Sequence, residues 1–193
     1  MEVLQIWVKS METKQDIRKE IFKRRKEATS SQILTNSTAI CERLCSLSEF
    51  SEAEWIYLYI DCKNEVLTEG IMKEALRLGK HVAAPRVEGK DMFFYEIHSY
   101  DDLEPGYFGI MEPKDGLSRV ECEDAFLVMP GVAFDSKKHR AGYGGGFYDR
   151  YLSVHTGLYK AAVAFDFQIV QQVPTEPTDI LPDVVITETT IYY

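Results

Sequence analysis

The segment from Met129 to Leu152 concentrates the residues best able to do chemistry. It reads Met-Pro-Gly-Val-Ala-Phe-Asp, four further residues, then Arg-Ala-Gly-Tyr-Gly-Gly-Gly-Phe-Tyr-Asp-Arg-Tyr-Leu. Four of the five positions from 142 to 146 are glycine. That density carries an entropic cost, tolerable where backbone must come close to a ligand. Backbone N–H groups at a helix start bind phosphate because they lack partners and sit at the positive end of the dipole. Arg140, just ahead of the loop, adds a two-pronged donor. Asp149 follows Gly146 by three residues. There it falls in the first turn of the helix expected next, within reach of a cation held by phosphates. Magnesium takes one or two carboxylates plus phosphate oxygens and water. The familiar phosphate fingerprints are absent. No Gly-Lys-Ser/Thr closes the loop, and a dinucleotide motif would need glycine where Phe147 or Asp149 stands. The loop also suits a tight turn packed under aromatics, and Asp149 an ordinary helix-start residue.

Other side chains narrow the field. The 193 residues carry a formal charge of −9, which repels nucleic acid and anionic membranes unless a basic patch is concentrated. The one basic cluster, Lys14 to Lys26, suits a small anionic ligand better than a polymer. Cys41, Cys45, Cys62 and Cys122 form no Cys-x-x-Cys pair, which excludes a zinc ribbon or thioredoxin-type motif. Cys41 and Cys45, spaced i, i+4, read as small core-facing residues, and reduced thiols fit a cytoplasmic protein. His81, His98, His139 and His155 show no metal-ligand spacing. No run approaches the roughly 18 apolar residues of a membrane span. Met1–Ser10, with Lys9 after its apolar stretch, is a poor signal peptide and reads as a dispensable extension.

Particular elements must position this segment. Thr13 caps a helix predicted over Lys14–Glu27, and Ser30 or Ser31 starts a second with an apolar stripe through Ile33, Ser37, Ile40 and Leu44. Trp55–Ile60 is an apolar run typical of a strand covered on both faces. A third helix runs from Thr68 to Leu78, closed by Gly79. A strand at His81–Ala84 is stopped by Pro85, and another at Asp91–Ile97 pairs with it across Glu88-Gly89-Lys90. Further strands are expected at Asp124–Met129, Lys160–Phe165, Val184–Thr187 and Thr190–Tyr193, with a helix from the glycines through about Ser153. Helices and buried strands alternate, which predicts an α/β three-layer α/β/α sandwich with a mostly parallel central sheet, Rossmann-like. Residues 1–13 read as an N-terminal extension and 14–193 as one domain of ordinary size. Ligands of such sheets sit beyond the carboxyl ends of the strands, where the glycine loop falls.

Pro130-Gly131-Val132-Ala133-Phe134-Asp135 and Arg140-Ala141-Gly142-Tyr143-Gly144-Gly145-Gly146-Phe147-Tyr148-Asp149, then Leu152, resemble the signature of the 5-formyltetrahydrofolate cyclo-ligase family. Supporting matches are Lys14-x-x-x-Arg18, Glu65, Gly109-Ile110-Met111-Glu112-Pro113, Val173-Pro174 and Asp183. The resemblance implies an ATP- and magnesium-dependent ligase that closes 5-formyltetrahydrofolate to 5,10-methenyltetrahydrofolate through a phosphorylated formyl oxygen. Its partners would be those two small molecules, with no nucleic acid or membrane, and the protein a monomer. By resemblance, Lys14, Arg18 and Arg140 bind ATP phosphates, and Ala141, Gly142, Tyr143, Gly144, Gly145, Gly146, Phe147, Tyr148 and Asp149 complete the ATP site. Ile60, Glu65, Tyr143, Gly144, Gly145, Gly146 and Phe147 border the folate, Glu65 receiving pteridine N–H groups. Asp149 and Asp183 hold magnesium, and Arg140 and Tyr148 lie at the reacting groups. Phe108 flanks the folate or packs in the core. Ala141 and Phe147 depart from the usual Leu and Tyr of the family. A non-catalytic anion-binding module would keep the glycines but could lose Arg140 or Asp149, and the presence of both favours an enzyme; only the resemblance argues against another ATP-dependent enzyme.

Overall fold

The computed structural model describes residues 13–106 and 109–193. Met1–Ser10 and Phe108, for which the sequence raised expectations, lie outside the described residues. Three helices come first: α1 (Lys14–Glu27), α2 (Ser30–Cys45) and α3 (Ser48–Glu52). Then follow β1 (Trp55–Leu58), α4 (Glu69–Arg77), β2 (His81–Glu88), β3 (Asp91–Ile97), β4 (Leu103–Pro105), β5 (Met111–Pro113) and β6 (Arg119–Val120). The rest comprises β7 (Phe126–Met129), β8 (Ala133–Phe134), β9 (Arg140–Ala141), α5 (Phe147–Val154), β10 (Tyr159–Val163), β11 (Val184–Ile186) and β12 (Ile191–Tyr192). The Thr13 hydroxyl caps α1 by accepting the Asp16 N–H, and Thr29 with Gln32 forms a capping box on α2.

The main sheet has the order β12-β11-β10-β7-β1-β2-β3-β6. Its five central strands, from β11 to β2, run parallel, and β12, β3 and β6 are antiparallel additions at the edges. Side-chain alternation explains why the central strands read as unbroken apolar runs. Ile56 and Leu58 face the layer of α2, α3 and α4, packed among Leu44, Phe50 and Ile71. Tyr57, between them, faces the α5 layer and stacks on Phe94, which in turn meets Tyr151. Phe126 meets Phe50 edge-on at 5.5 Å, and cutting such a buried ring to alanine costs about 3–5 kcal/mol. The sandwich is the three-layer arrangement expected from the sequence.

Of the boundaries that differ from expectation, two have a plain physical reason. β2 continues through Pro85 to Glu88. Its pairing with β1 ends at Ala83, while β3 accompanies it to the hairpin. Pro85 therefore stands where β2 has a single neighbour and a missing N–H need not cost a ladder bond. β1 stops at Leu58, and Tyr59 and Ile60 leave the ladder before Asp61 turns the chain toward α4 by accepting the Thr68 N–H and hydroxyl.

β1 crosses through α4 to β2 on one side, whereas β7 crosses through α5 to β10 on the other. The strand order thus reverses between neighbours β1 and β7, which opens a crevice beyond their carboxyl ends. α1 stands outside the layers. Its Ile17 and Ile21 pack on Val132, Ala133, Ala141 and Val173, the region of the small β8–β9 ribbon, so its basic face borders the crevice. Among the described residues, no helix is long and apolar enough to cross a membrane.

Candidate active site

The crevice holds a cavity of about 970 Å³. One half is built from the glycine loop. Gly144 (φ +103°) and Gly146 (φ +65°) occupy left-handed backbone that other residues enter only with strain. A Cβ on Gly145 would fall 2.8 Å from the Phe147 ring. Gly146 ends the loop as the N-cap of α5, with no side-chain cap over the first-turn N–H groups, which leaves a donor cluster for an anion. The Nε of Arg18 donates to the Gly142 carbonyl at 2.7 Å, laying its guanidinium along Gly144. Arg140, buried, donates through Nη2 to Asp149 Oδ1 at 2.8 Å, and its Nε has no partner among the described residues. Asp149 Oδ1 also accepts the Ile180 N–H at 3.1 Å. The neighbouring carboxylate, Asp179, takes the Lys14 ammonium at 2.7 and 2.8 Å. The cations and carboxylates therefore interleave as Arg140–Asp149 and Asp179–Lys14.

The other half surrounds Glu65, whose side chain is only 4% exposed. Its Oε1 accepts the Tyr143 hydroxyl at 2.7 Å, and its Oε2 accepts the Cys62 N–H at 3.1 Å. Burial and the Glu65 charge push the Tyr143 hydroxyl well above the usual tyrosine range, so it is a proton donor at any working pH. Burial, then the negative charge of Glu65, raises the Tyr148 hydroxyl in the same way. That oxygen is buried with no partner among the described residues, while its ring lies 6.0 Å from the Arg140 guanidinium. Ile60, Met92, Met111 and Phe147 supply an apolar wall. A glycine loop with uncapped helix-start N–H groups and a buried carboxylate thus share one cavity, with Tyr143 reaching from one to the other.

A model of the 5-formyltetrahydrofolate cyclo-ligase family matches residues 10–188. The chain belongs to this family. The 5-formyltetrahydrofolate cyclo-ligase of Haemophilus influenzae is 30% identical over 174 residues, covering 86% of this chain and 93% of that protein. The Escherichia coli K12 cyclo-ligase is 28% identical, covering 89% and 98%. The solved structure of Aquifex aeolicus 5,10-methenyltetrahydrofolate synthetase superposes with a TM-score of 0.82 at 36% identity, covering 92% of this chain and 91% of that one. The chain is accordingly an enzyme, an ATP-dependent cyclo-ligase of folate one-carbon metabolism.

Of the cyclo-ligase residues expected from sequence, the cavity brings together Lys14, Arg18, Ile60, Glu65, Arg140, Gly142 through Tyr148, and Asp149. The Ile110–Glu112 part of the mid-chain motif lines it too. Two of the expected site residues lie outside it. Ala141 does not line the cavity: alternation along β9 turns Arg140 inward and buries Ala141 against α1. Asp183 does not either. It precedes β11 at the amino end of the parallel strands, the edge opposite the cavity, and its carboxylate accepts the Lys160 N–H and ammonium, both at 2.7 Å. The carboxylate that the fold delivers beside Asp149 is Asp179. It was missed because nothing local relates it to Lys14, 165 positions away. Arg25, within the basic cluster Lys14 to Lys26, is buried against Glu65.

Proposed function

We propose that this cavity closes 5-formyltetrahydrofolate to 5,10-methenyltetrahydrofolate by way of a phosphorylated formyl oxygen. The observation that carries the reading is the joining of an anion cradle and a buried carboxylate in one cavity. Lys14, Arg18, Arg140 and the N–H groups at the start of α5 take the ATP phosphates. Glu65 accepts N–H donors of the pteridine, and the apolar wall receives the ring. The formyl oxygen attacks the γ-phosphorus, the bond to the ADP oxygen breaks, and ADP leaves. Nitrogen 10 then attacks the formyl carbon, the C–O bond breaks with phosphate as leaving group, and nitrogen 10 loses its proton. Phosphorylation turns a poor leaving oxygen into a good one, so the protein's work is alignment and charge neutralisation. We assign the Tyr148 hydroxyl, buried without a partner among the described residues, the role of donating a hydrogen bond to an oxygen at the transfer point.

The donor set fits magnesium: Asp149 and Asp179, flanked by cations that phosphate would engage, match a site of two carboxylates completed by phosphate oxygens and water. When bound there, magnesium would offset the negative charge of the phosphates. Arg140 and the part-buried Lys14 would then exchange a carboxylate partner for a phosphate, so neither cation would be left unpaired.

The test is absorbance of the methenyl product after mixing protein, ATP, magnesium and 5-formyltetrahydrofolate, with ADP measured in parallel. One ADP per product is expected. Equal product without ATP would overturn the reading.

A further inference from the structure

Ile17, Ile21 and Arg25 form one buried stripe of α1 at i, i+4 and i+8, and an apolar residue would satisfy the third position. Arg25 stands there instead, 3% exposed. A buried ion pair adds little stability over apolar packing, so stability does not account for this arginine. Its contacts do. Nη1 donates to the Tyr143 hydroxyl at 2.5 Å and lies 3.5 Å from Glu65 Oε1, while Nη2 donates to the Gly131 carbonyl at 2.8 Å. Tyr143 accepts from Arg25 and so directs its own proton to Glu65. The Asn64 side chain donates to the Arg25 carbonyl, tying the Glu65 loop to the same turn of α1.

We infer that Arg25 is a positioning residue for the folate: it holds Glu65 as an aimed carboxylate and, through Tyr143, latches that carboxylate to the phosphate loop. The inference rests on the reading of Glu65 as the group that receives the pteridine. Arg25 itself does not line the cavity. Its planar fork spans Gly131 and Tyr143 at once, which a lysine ammonium cannot reproduce. Removing it leaves Glu65 buried without its cation and Tyr143 free to turn away. The loop between Gly142 and Gly144 then loses its tie to the folate half.

A double-mutant cycle tests this with Arg25→Met, Glu65→Gln and the double variant, reading KM for each substrate and kcat. Glu65→Gln is expected to raise the KM for 5-formyltetrahydrofolate by about tenfold to a hundredfold, the worth of one charge-assisted contact. Arg25→Met should do the same in the parent protein but add less than about twofold in the Glu65→Gln background. Arg25→Lys should recover part of the loss. If Arg25→Met costs the same in both backgrounds, it is a packing residue and the inference falls. If Glu65→Gln leaves the folate KM unchanged, it is the reading of Glu65 that fails. Should circular dichroism show Arg25→Met unfolded, Tyr143→Phe, at a position 43% exposed, carries the same cycle with the same expectation. Additive effects there overturn the inference equally.

Discussion

The proposed magnesium requirement is expected to depend on Asp149 and Asp179 and not on Asp183. Asp149→Asn keeps the size of the side chain and an acceptor for the Ile180 N–H, now at 3.1 Å, but removes the charge. Losing one charge-assisted contact costs about 1.5–3 kcal/mol, or roughly tenfold to a hundredfold in the magnesium concentration for half-maximal rate. The free protein adds a second, opposite effect. Asp149 and Asp179 now neutralise Arg140 and Lys14 at 2.8 and 2.7 Å, in competition with phosphate. Asparagine at either position loosens the hold on that cation, fully for Arg140 and in part for Lys14, which keeps Glu176 at 3.5 Å, so ATP in the presence of a chelator should bind tighter than to the parent while magnesium-supported turnover falls. Two assays separate the effects: initial rate against magnesium at saturating ATP, and calorimetric ATP binding with EDTA. Asp183→Asn serves as the control and should leave both curves in place. Its carboxylate, 41% exposed, holds Lys160, so only a small drop in melting temperature is expected. A shifted magnesium curve for Asp183→Asn with an unchanged one for Asp179→Asn would refute the assignment.

Two other outcomes follow from the scaffold of the site. Asp135 lies below its ordinary value of 3.8: burial opposes the charge, but N–H groups of Val173, His139 and Lys137 and the His139 ring outweigh it. A depressed folded value means a contribution present above the unfolded value of about 3.9 and lost as pH falls through the folded one. Asp135→Asn should therefore cost about 1.5–3 kcal/mol in urea unfolding from about pH 5 to 7, a penalty that shrinks below about pH 4. A penalty that grows on acidification would contradict the hydrogen-bond account. Gly145→Ala places a Cβ 2.8 Å from the Phe147 ring, and the resulting shift of about 1–3 kcal/mol should appear as an ATP KM raised roughly tenfold or more. An unchanged ATP KM in that variant would show that the loop is not the phosphate cradle.

Much of the architecture was written in local pattern. The continuous run from Trp55 marked a strand covered on both faces because Ile56 and Tyr57 bury on opposite sides. Thr13 and Gly79 marked helix ends through capping and left-handed backbone, both rules of a few residues. Pro85 misled because a proline stops a strand only where its N–H would be needed, and that depends on how far β1 runs beside it.

The glycine loop, Arg140 and Asp149 lie within ten residues of one another, so the sequence alone brought these groups together as a candidate anion site. A turn, a helix start and a reachable carboxylate are all local geometry. Tertiary structure alone decided the rest. Which carboxylate joins Asp149 depends on the path of the chain after β10, which carries Asp179 into the cavity and leaves Asp183 at the opposite edge of the sheet. Whether an arginine of α1 meets solvent or Glu65 depends on how that helix docks on the β8–β9 ribbon. Burial and long-range pairing belong to the packed chain, because residues far apart in sequence become neighbours only when the core closes around them.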